Sequence, residues 1–299
     1  MATRIAFPGP TPTRYTFGTM SVGGDVSAIK ADMALVREAM DAGVWFHTCV
    51  RYACGADYNL LGRTFADARG KVPACICKIR CDNAEILRID VENTLSRFGL
   101  ERIHVAQLSR TARDRKEAVV EDFARQGPMW YQCHTLRERG LVGAFVLEVF
   151  FGCSAEAATA VEGGLFDGYA FYFNALNRET NNAFFDAATE ARCPLISIRS
   201  GGFLDGDWRE RVSRENPGHR DLKMHDELQP LFARSGCRDW LEFSLRFLFS
   251  LESVVTAIGG TRSPAHLRRH LEIWRTASPL PQDIVAGVLD IQRRWMAKA

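Results

Sequence analysis

The chain is short of long hydrophobic stretches. No uninterrupted apolar run in its 299 residues approaches the ~20 that a membrane-spanning helix requires. It also lacks an early segment that combines a basic start, an apolar centre and a cleavage site, so a secretory signal is not expected. Charge of one sign is not in excess. A formal net charge of +2 is too small to argue for nucleic acid or an anionic membrane surface as a partner. A disulfide framework is missing too: the nine cysteines are an odd count scattered through apolar runs, which suits reduced, buried thiols in a cytosol. No low-complexity tract or linker splits the chain. What remains is ordinary, with 46% apolar and 25% charged residues, as in an average globular protein. The expectation is a soluble cytoplasmic protein.

What is present is a repeat of strand and helix. Continuous apolar runs at 15–19, 44–47, 72–78, 103–108, 143–148, 168–173, 195–198 and 254–258 read as strands. Amphipathic stretches such as 29–42, 84–98, 155–162, 181–191 and 238–251 lie between them. Continuous rather than alternating apolar strands fit a parallel sheet buried on both faces. Eight such units in about 300 residues predict a single-domain closed (β/α)8 barrel over residues 1–299 rather than an open doubly wound sheet. Two segments depart from the repeat. Residues 200–238 form a long polar connection after the seventh strand, and connections of that length are usually functional lids or disordered segments. Residues 281–297 predict an extra amphipathic helix, whose Trp295 could pack on the barrel or on a second subunit.

Candidate chemistry gathers at strand ends. Tyr52 follows the second strand and Lys78 closes the third. A lysine beside a phenol favours the phenolate and so lowers the phenol's pKa toward neutrality. Glu148 ends strand five and Arg199 ends strand seven, at the mouth where barrel enzymes place their chemistry. Arg199 could pair with Glu148 or grip a substrate carboxylate with both arms of its guanidinium. Arg262, Arg268 and Arg269 begin a helix after a Gly-Gly-Thr turn, a ready anion site. Cys75, Cys77 and Cys81 invite a metal reading, but no further His or Cys follows at a zinc-binding spacing, and packing is the better account. His104, inside strand four, reads as a core histidine.

From about Phe17 to about Ile273 the chain resembles the aldo-keto reductase superfamily. The likeness is carried by FGTM at Phe17–Met20, by Phe46–Thr48 followed by Tyr52, and by Leu60–Gly62, which matches the family's Leu-Gly. It continues through Lys78 at the end of strand three, TLSRFGLERIHVAQLSR at Thr94–Arg110, LRERGLVGAF, GGLFDGYAFYFNALNRE, and IGGTRSPAHLRRHLE at Ile258–Glu272. The resemblance implies NADPH-dependent reduction of a small-molecule carbonyl, with Tyr52 as proton donor and Lys78 as its electrostatic partner. It places the cofactor's phosphates against Gly259, Gly260, Thr261, Arg262, Ser263 and Arg268.

The family's catalytic set also includes an aspartate and a histidine, and at those positions stand His47 and Ser109. The glycine expected after the tyrosine is Ala53. The Ser-Asn pair that ends strand five is replaced by Glu148 and Val149, and a strand-six glutamine by Ala170. Loss of the aspartate removes a negative charge near Lys78 and predicts a lysine pushed toward neutrality. Two alternatives therefore stand beside the reductase. One is a redox-neutral dehydratase, lyase or isomerase that moves protons through Tyr52, Lys78 and His47. The other is a non-catalytic barrel that keeps the cofactor as a ligand.

Overall fold

The structure is a computed structural model that describes residues 7–68, 72–109, 117–201 and 208–297. Eight strands close in sequence order: β1 (Tyr15–Gly18), β2 (Trp45–Cys49), β3 (Cys75–Arg80), β4 (Ile103–Ser109), β5 (Val142–Glu148), β6 (Gly168–Tyr172), β7 (Leu195–Ile198) and β8 (Val254–Gly259). All eight pairings are parallel, and β8 returns to β1 through Tyr15↔Ala257 and Phe17↔Gly259. The closed (β/α)8 barrel expected from the repeat is what the chain forms. Among the described residues no helix is long and apolar enough to cross a membrane.

Two cores follow from the alternation of side chains along each strand. Trp45, Ile76, Val105, Ala144, Val146, Ala170 and Ile196 point into the barrel and pack on one another. Phe17, Phe46, Cys75, Cys77, Leu108, Phe145, Leu147 and Phe171 point outward into the larger core beneath the helices. Cys75, Cys77 and Cys81 are all fully buried there, as packing residues. His104 is half-buried, with its ring edge-on to Trp45 and its Nδ1 accepting from the Cys75 N–H at 3.4 Å. The barrel's seam is tight at Gly260, where a Cβ would come 2.6 Å from the Gly18 carbonyl oxygen.

The connection after β7 differs from expectation. Residues 202–207 lie outside the described residues, but Trp208–Glu215 and Arg220–Ser235 are helices, so most of the segment is not a structureless lid. Leu222, His225 and Leu228 make a buried stripe within the second helix, which the surrounding charges obscure in the sequence. That helix packs on the C-terminal helix Gln282–Met296, where Trp295 Nε1 donates to Glu227 Oε1 at 3.0 Å. Gln292 Nε2 donates to the Asn174 carbonyl at 2.8 Å, which ties the C-terminal helix to the chain beyond β6.

Candidate active site

The same alternation decides which side chains reach the mouth. His47 stands two residues beyond Trp45, Lys78 two beyond Ile76, Gln107 and Ser109 two and four beyond Val105, Glu148 two beyond Val146, and Tyr172 two beyond Ala170. Each reference residue faces the barrel interior, so its partner faces the interior one layer nearer the C-terminal end. Tyr52 arrives from the turn after β2. All of these but Gln107 line a cleft with two adjoining chambers. An inner one of about 240 Å³ reaches from His47, Tyr52 and Lys78 to Gly259 and Gly260. An outer one of about 250 Å³ adds Arg51, Ser109 and Glu148, and Tyr52, Lys78, Tyr172 and Arg199 line both.

Lys78 Nζ bonds Glu148 Oε1 at 2.5 Å, with the two side chains 11% and 2% exposed. A pair so withdrawn from water attracts far more strongly than a surface pair. Burial alone would push the Lys78 ammonium down; the Glu148 carboxylate, with smaller contributions from Tyr52 and Tyr172, outweighs it, and the net shift is upward. The expectation of a lysine driven toward neutrality is thereby corrected. The negative charge beside Lys78 comes from Glu148, at the end of β5. Glu148 is thus a pocket group whose charge is answered by a lysine.

His47 carries no charge in this setting. Burial, then the neighbouring Lys78, lowers its pKa to about 3, while its Nε2 meets Gln107 Oε1 at 3.1 Å. Tyr52 is held as a phenol: burial raises its pKa, and the opposing pull of Lys78 does not cancel that. The lowered tyrosine pKa expected from the lysine alone is corrected on the same ground, because desolvation is the larger effect. The backbone after Tyr52 is strained. Ala53 (φ 47°), Cys54 (φ 53°) and Gly55 (φ 89°) are consecutive left-handed residues, two of them with side chains. Such conformations persist where the surroundings over-determine them. Arg199, at the end of β7, is a third non-glycine residue of this kind (φ 58°), with its guanidinium 4.4 Å from the Tyr172 ring centroid.

Eight of the sequence candidates therefore meet in one cleft: Tyr52, Lys78, His47, Ser109, Glu148, Arg199, Gly259 and Gly260. Thr261, Arg262, Ser263 and Arg268 lie further along, on the flank of β8. Ser263 caps the helix Pro264–Thr276 by accepting from the His266 N–H at 3.3 Å, and Thr261 Oγ1 accepts from the Ser263 N–H at 3.0 Å. Arg262 Nε donates to Asp32 Oδ1 at 3.3 Å, and Arg268 Nε to Glu38 Oε1 at 2.7 Å.

Four residues escaped the sequence reading. Arg51 is exposed beside Tyr52, and Tyr172 and Gln107 share the inward parity of their strands. Asp57 is fully buried below the Tyr52 turn, its Oδ2 accepting from Thr48 Oγ1 at 2.7 Å and Thr19 Oγ1 at 2.9 Å. Burial lifts its pKa to about 7 against those two hydrogen bonds.

No protein-family model matches the sequence, and no curated protein matches it. Solved structures do. An aldo-keto reductase from Bacillus halodurans, in its holo form, superposes with a TM-score of 0.72 at 14% identity, over 97% of this chain and 99% of that one. A glycerol dehydrogenase from Gluconobacter oxydans gives 0.71 at 17% identity, over 98% and 96%. An aldo-keto reductase from Klebsiella pneumoniae, solved in complex with NADPH, gives 0.67 at 13% identity, again over 98% and 96%. From end to end the chain has the fold of the aldo-keto reductases.

Proposed function

We propose that the chain is an oxidoreductase of the aldo-keto reductase type, which takes NADPH and reduces a small-molecule carbonyl to an alcohol. The observation that carries this reading is the trio Tyr52, Lys78 and Glu148: a protonated phenol beside an ammonium that a buried carboxylate keeps charged. A phenol in that state is a proton donor. A redox-neutral enzyme that starts by abstracting a proton would need the opposite, a neutral lysine or a phenolate.

The residues present fit a dinucleotide. Gly259 and Gly260 have no side chains to fill the inner chamber, so backbone forms its wall at the distance from Tyr52 that the chamber spans. Beyond them come two hydroxyls, Thr261 and Ser263, then a capped helix N-terminus, which favours phosphate. Arg262 and Arg268 are the cations placed to recognise a 2′-phosphate, which would have to compete with Asp32 and Glu38 for them. Once bound, the cofactor would supply hydride to the carbonyl carbon.

The chain's own residues account for the rest. The carbonyl oxygen gains negative charge as hydride arrives, and the Tyr52 O–H bond breaks to give it a proton. The phenolate left behind faces the Lys78 ammonium, and Glu148 keeps that ammonium charged throughout. His47, neutral and hydrogen-bonded to Gln107, shapes the floor of the chamber without taking part as an acid. Ser109 can donate one hydrogen bond to a substrate oxygen in the outer chamber.

A titration of the purified chain with NADPH, followed by its oxidation against a panel of aldehydes and ketones, tests the reading. Tyr52→Phe should cut reduction by roughly 10²–10⁴-fold and leave cofactor affinity within about twofold. Failure to bind at millimolar NADPH would remove the reductase.

A further inference from the structure

A carbonyl oxygen has two lone pairs, and reduction builds negative charge on that oxygen. Tyr52 answers one of them. In a site withdrawn from water the other needs a donor of its own, because a charged oxygen left without one is costly to bury. The reacting group must meet the cofactor's end of the inner chamber and still reach Tyr52. It therefore lies where the two chambers adjoin.

Among the described residues five line both chambers: Met20, Tyr52, Lys78, Tyr172 and Arg199. Met20 has no donor to offer, and the Lys78 ammonium is turned to Glu148. Tyr172 is a second phenol, and its place is fixed before anything binds. It ends β6, paired with Ile198 of β7, and its carbonyl accepts from the Glu179 N–H at 2.9 Å. The Arg199 guanidinium lies against the ring, 4.4 Å from its centroid, and the Phe150 ring stands perpendicular to it at 5.8 Å. Packing thus holds the ring, whereas among the described residues nothing hydrogen-bonds its hydroxyl. That hydroxyl is near enough for its charge to act on both Tyr52 and Lys78. A donor held in place by its neighbours is preorganised for a charge that appears only during reaction.

We propose that Tyr172 is a catalytic residue whose hydroxyl donates to the carbonyl oxygen alongside Tyr52 and stabilises the charge that builds there, an assignment of the oxygen that rests on the reductase reading. As hydride forms the new C–H bond, the carbonyl π electrons move to oxygen. That oxygen takes the Tyr52 proton, while Tyr172 keeps its own and stays hydrogen-bonded to the alcohol.

Isotope-edited infrared spectra of a bound carbonyl report the hydrogen bond without turnover, because each donor lowers the C=O stretch. The probes are benzaldehyde and cyclohexanone, each with and without ¹³C at the carbonyl, on the full chain with and without saturating NADP⁺. Tyr172→Phe keeps the ring and removes only the hydroxyl. It should shift the bound stretch upward, as Tyr52→Phe should, and the double variant should shift it further. With NADPH, Tyr172→Phe should lower kcat roughly 10²–10³-fold and leave cofactor affinity within about twofold. Tyr172→Leu, which also takes the ring from Arg199, should move the stretch no further than Tyr172→Phe.

A stretch that stays put in Tyr172→Phe would overturn the proposal and leave the reductase standing, since donation from Arg199 or Lys78 would survive that change. A kcat that falls only in Tyr172→Leu would do the same, by assigning the ring a packing role. A stretch that moves in a protein that never oxidises NADPH would keep the hydrogen bond and remove the reductase. Failure of both probes to bind would overturn the proposal.

Discussion

Replacing Glu148 by glutamine keeps the side chain's shape and removes its charge, so it isolates what the carboxylate does for Lys78. In the native protein the pair is nearly inaccessible, at 11% and 2% exposure. Removing one partner of a buried pair costs about 3–5 kcal/mol, because the other charge is left stranded. For 299 residues at ~2.1 cal/mol/K each, the unfolding entropy near the midpoint is about 0.63 kcal/mol/K, so Glu148→Gln should lower Tm by about 5–8 °C. The deficit should also depend on pH in one direction. With Glu148 present the folded-state pKa of Lys78 is raised, so its contribution is complete below the unfolded value of about 10.4 and is lost as pH climbs from there through the folded one.

In the variant, desolvation alone remains and depresses that pKa. Folding is then penalised at neutral pH and recovers as the lysine deprotonates. Calorimetric melts should show the gap from the native protein narrowing between about pH 7 and 10. Reduction should fall roughly a hundredfold, as when a preorganised charge is lost from a transition state. His47 senses both charges of the pair. The double variant His47→Asp, Glu148→Gln returns a carboxylate to the neighbouring strand and should recover at least half of the lost Tm. A Glu148→Gln protein that melts within a degree of the native one and turns over at the same rate would refute the electrostatic account.

Three further outcomes follow from the same region. Asp57, with a folded-state pKa raised to about 7, stabilises the fold most below its unfolded value and loses that contribution as pH rises through 7. Asp57→Asn, which keeps an acceptor for Thr48 and Thr19, should therefore be more stable than the native protein at pH 8 by roughly 4 kcal/mol and indistinguishable near pH 4, as read by denaturant melts. Ala53→Gly relieves a left-handed alanine and should add about 1 kcal/mol to stability; it should also lower kcat, because the turn that aims Tyr52 is loosened, and an unchanged kcat would mean the strain has no bearing on the tyrosine. Glu38→Gln frees Arg268 and should tighten NADPH several-fold in fluorescence titration while leaving NADH unchanged; a parallel change in both would place Arg268 away from the 2′-phosphate.

The barrel was legible because strand and helix periods alternate cleanly, and because strands buried on both faces show as unbroken apolar runs such as 103–108 and 195–198. Boundaries slipped by one to three residues, most at the third strand, expected at 72–78 and formed at Cys75–Arg80. Lys78 looked like the end of strand three, yet β3 runs on through Ile79 and Arg80, since the lysine points into the mouth without interrupting the ladder. The same inward parity explains Gln107 and Tyr172, which alternation along β4 and β6 could have singled out once His47 and Lys78 were suspected. Asp57 and Arg51 were harder to find: their surroundings come from Thr19, Thr48 and Ser109, brought near only by closure of the barrel. The partnership of Lys78 with Glu148 joins residues 70 apart in sequence, and no spacing rule within one strand reports it.

A closed ring of parallel strands has no privileged strand. Each of the eight ends points at the same small volume, so a charge lost from one can be restored from another without moving the atom it serves. That is the arrangement of Glu148, which answers Lys78 from β5 where His47 on β2 does not. A pattern that looks for the carboxylate on β2 misses one that stands on β5 and reaches the same lysine. Barrels of this kind can therefore hold their electrostatics steady while the residues responsible drift around the rim, and distances to a central group trace that drift better than position along the chain.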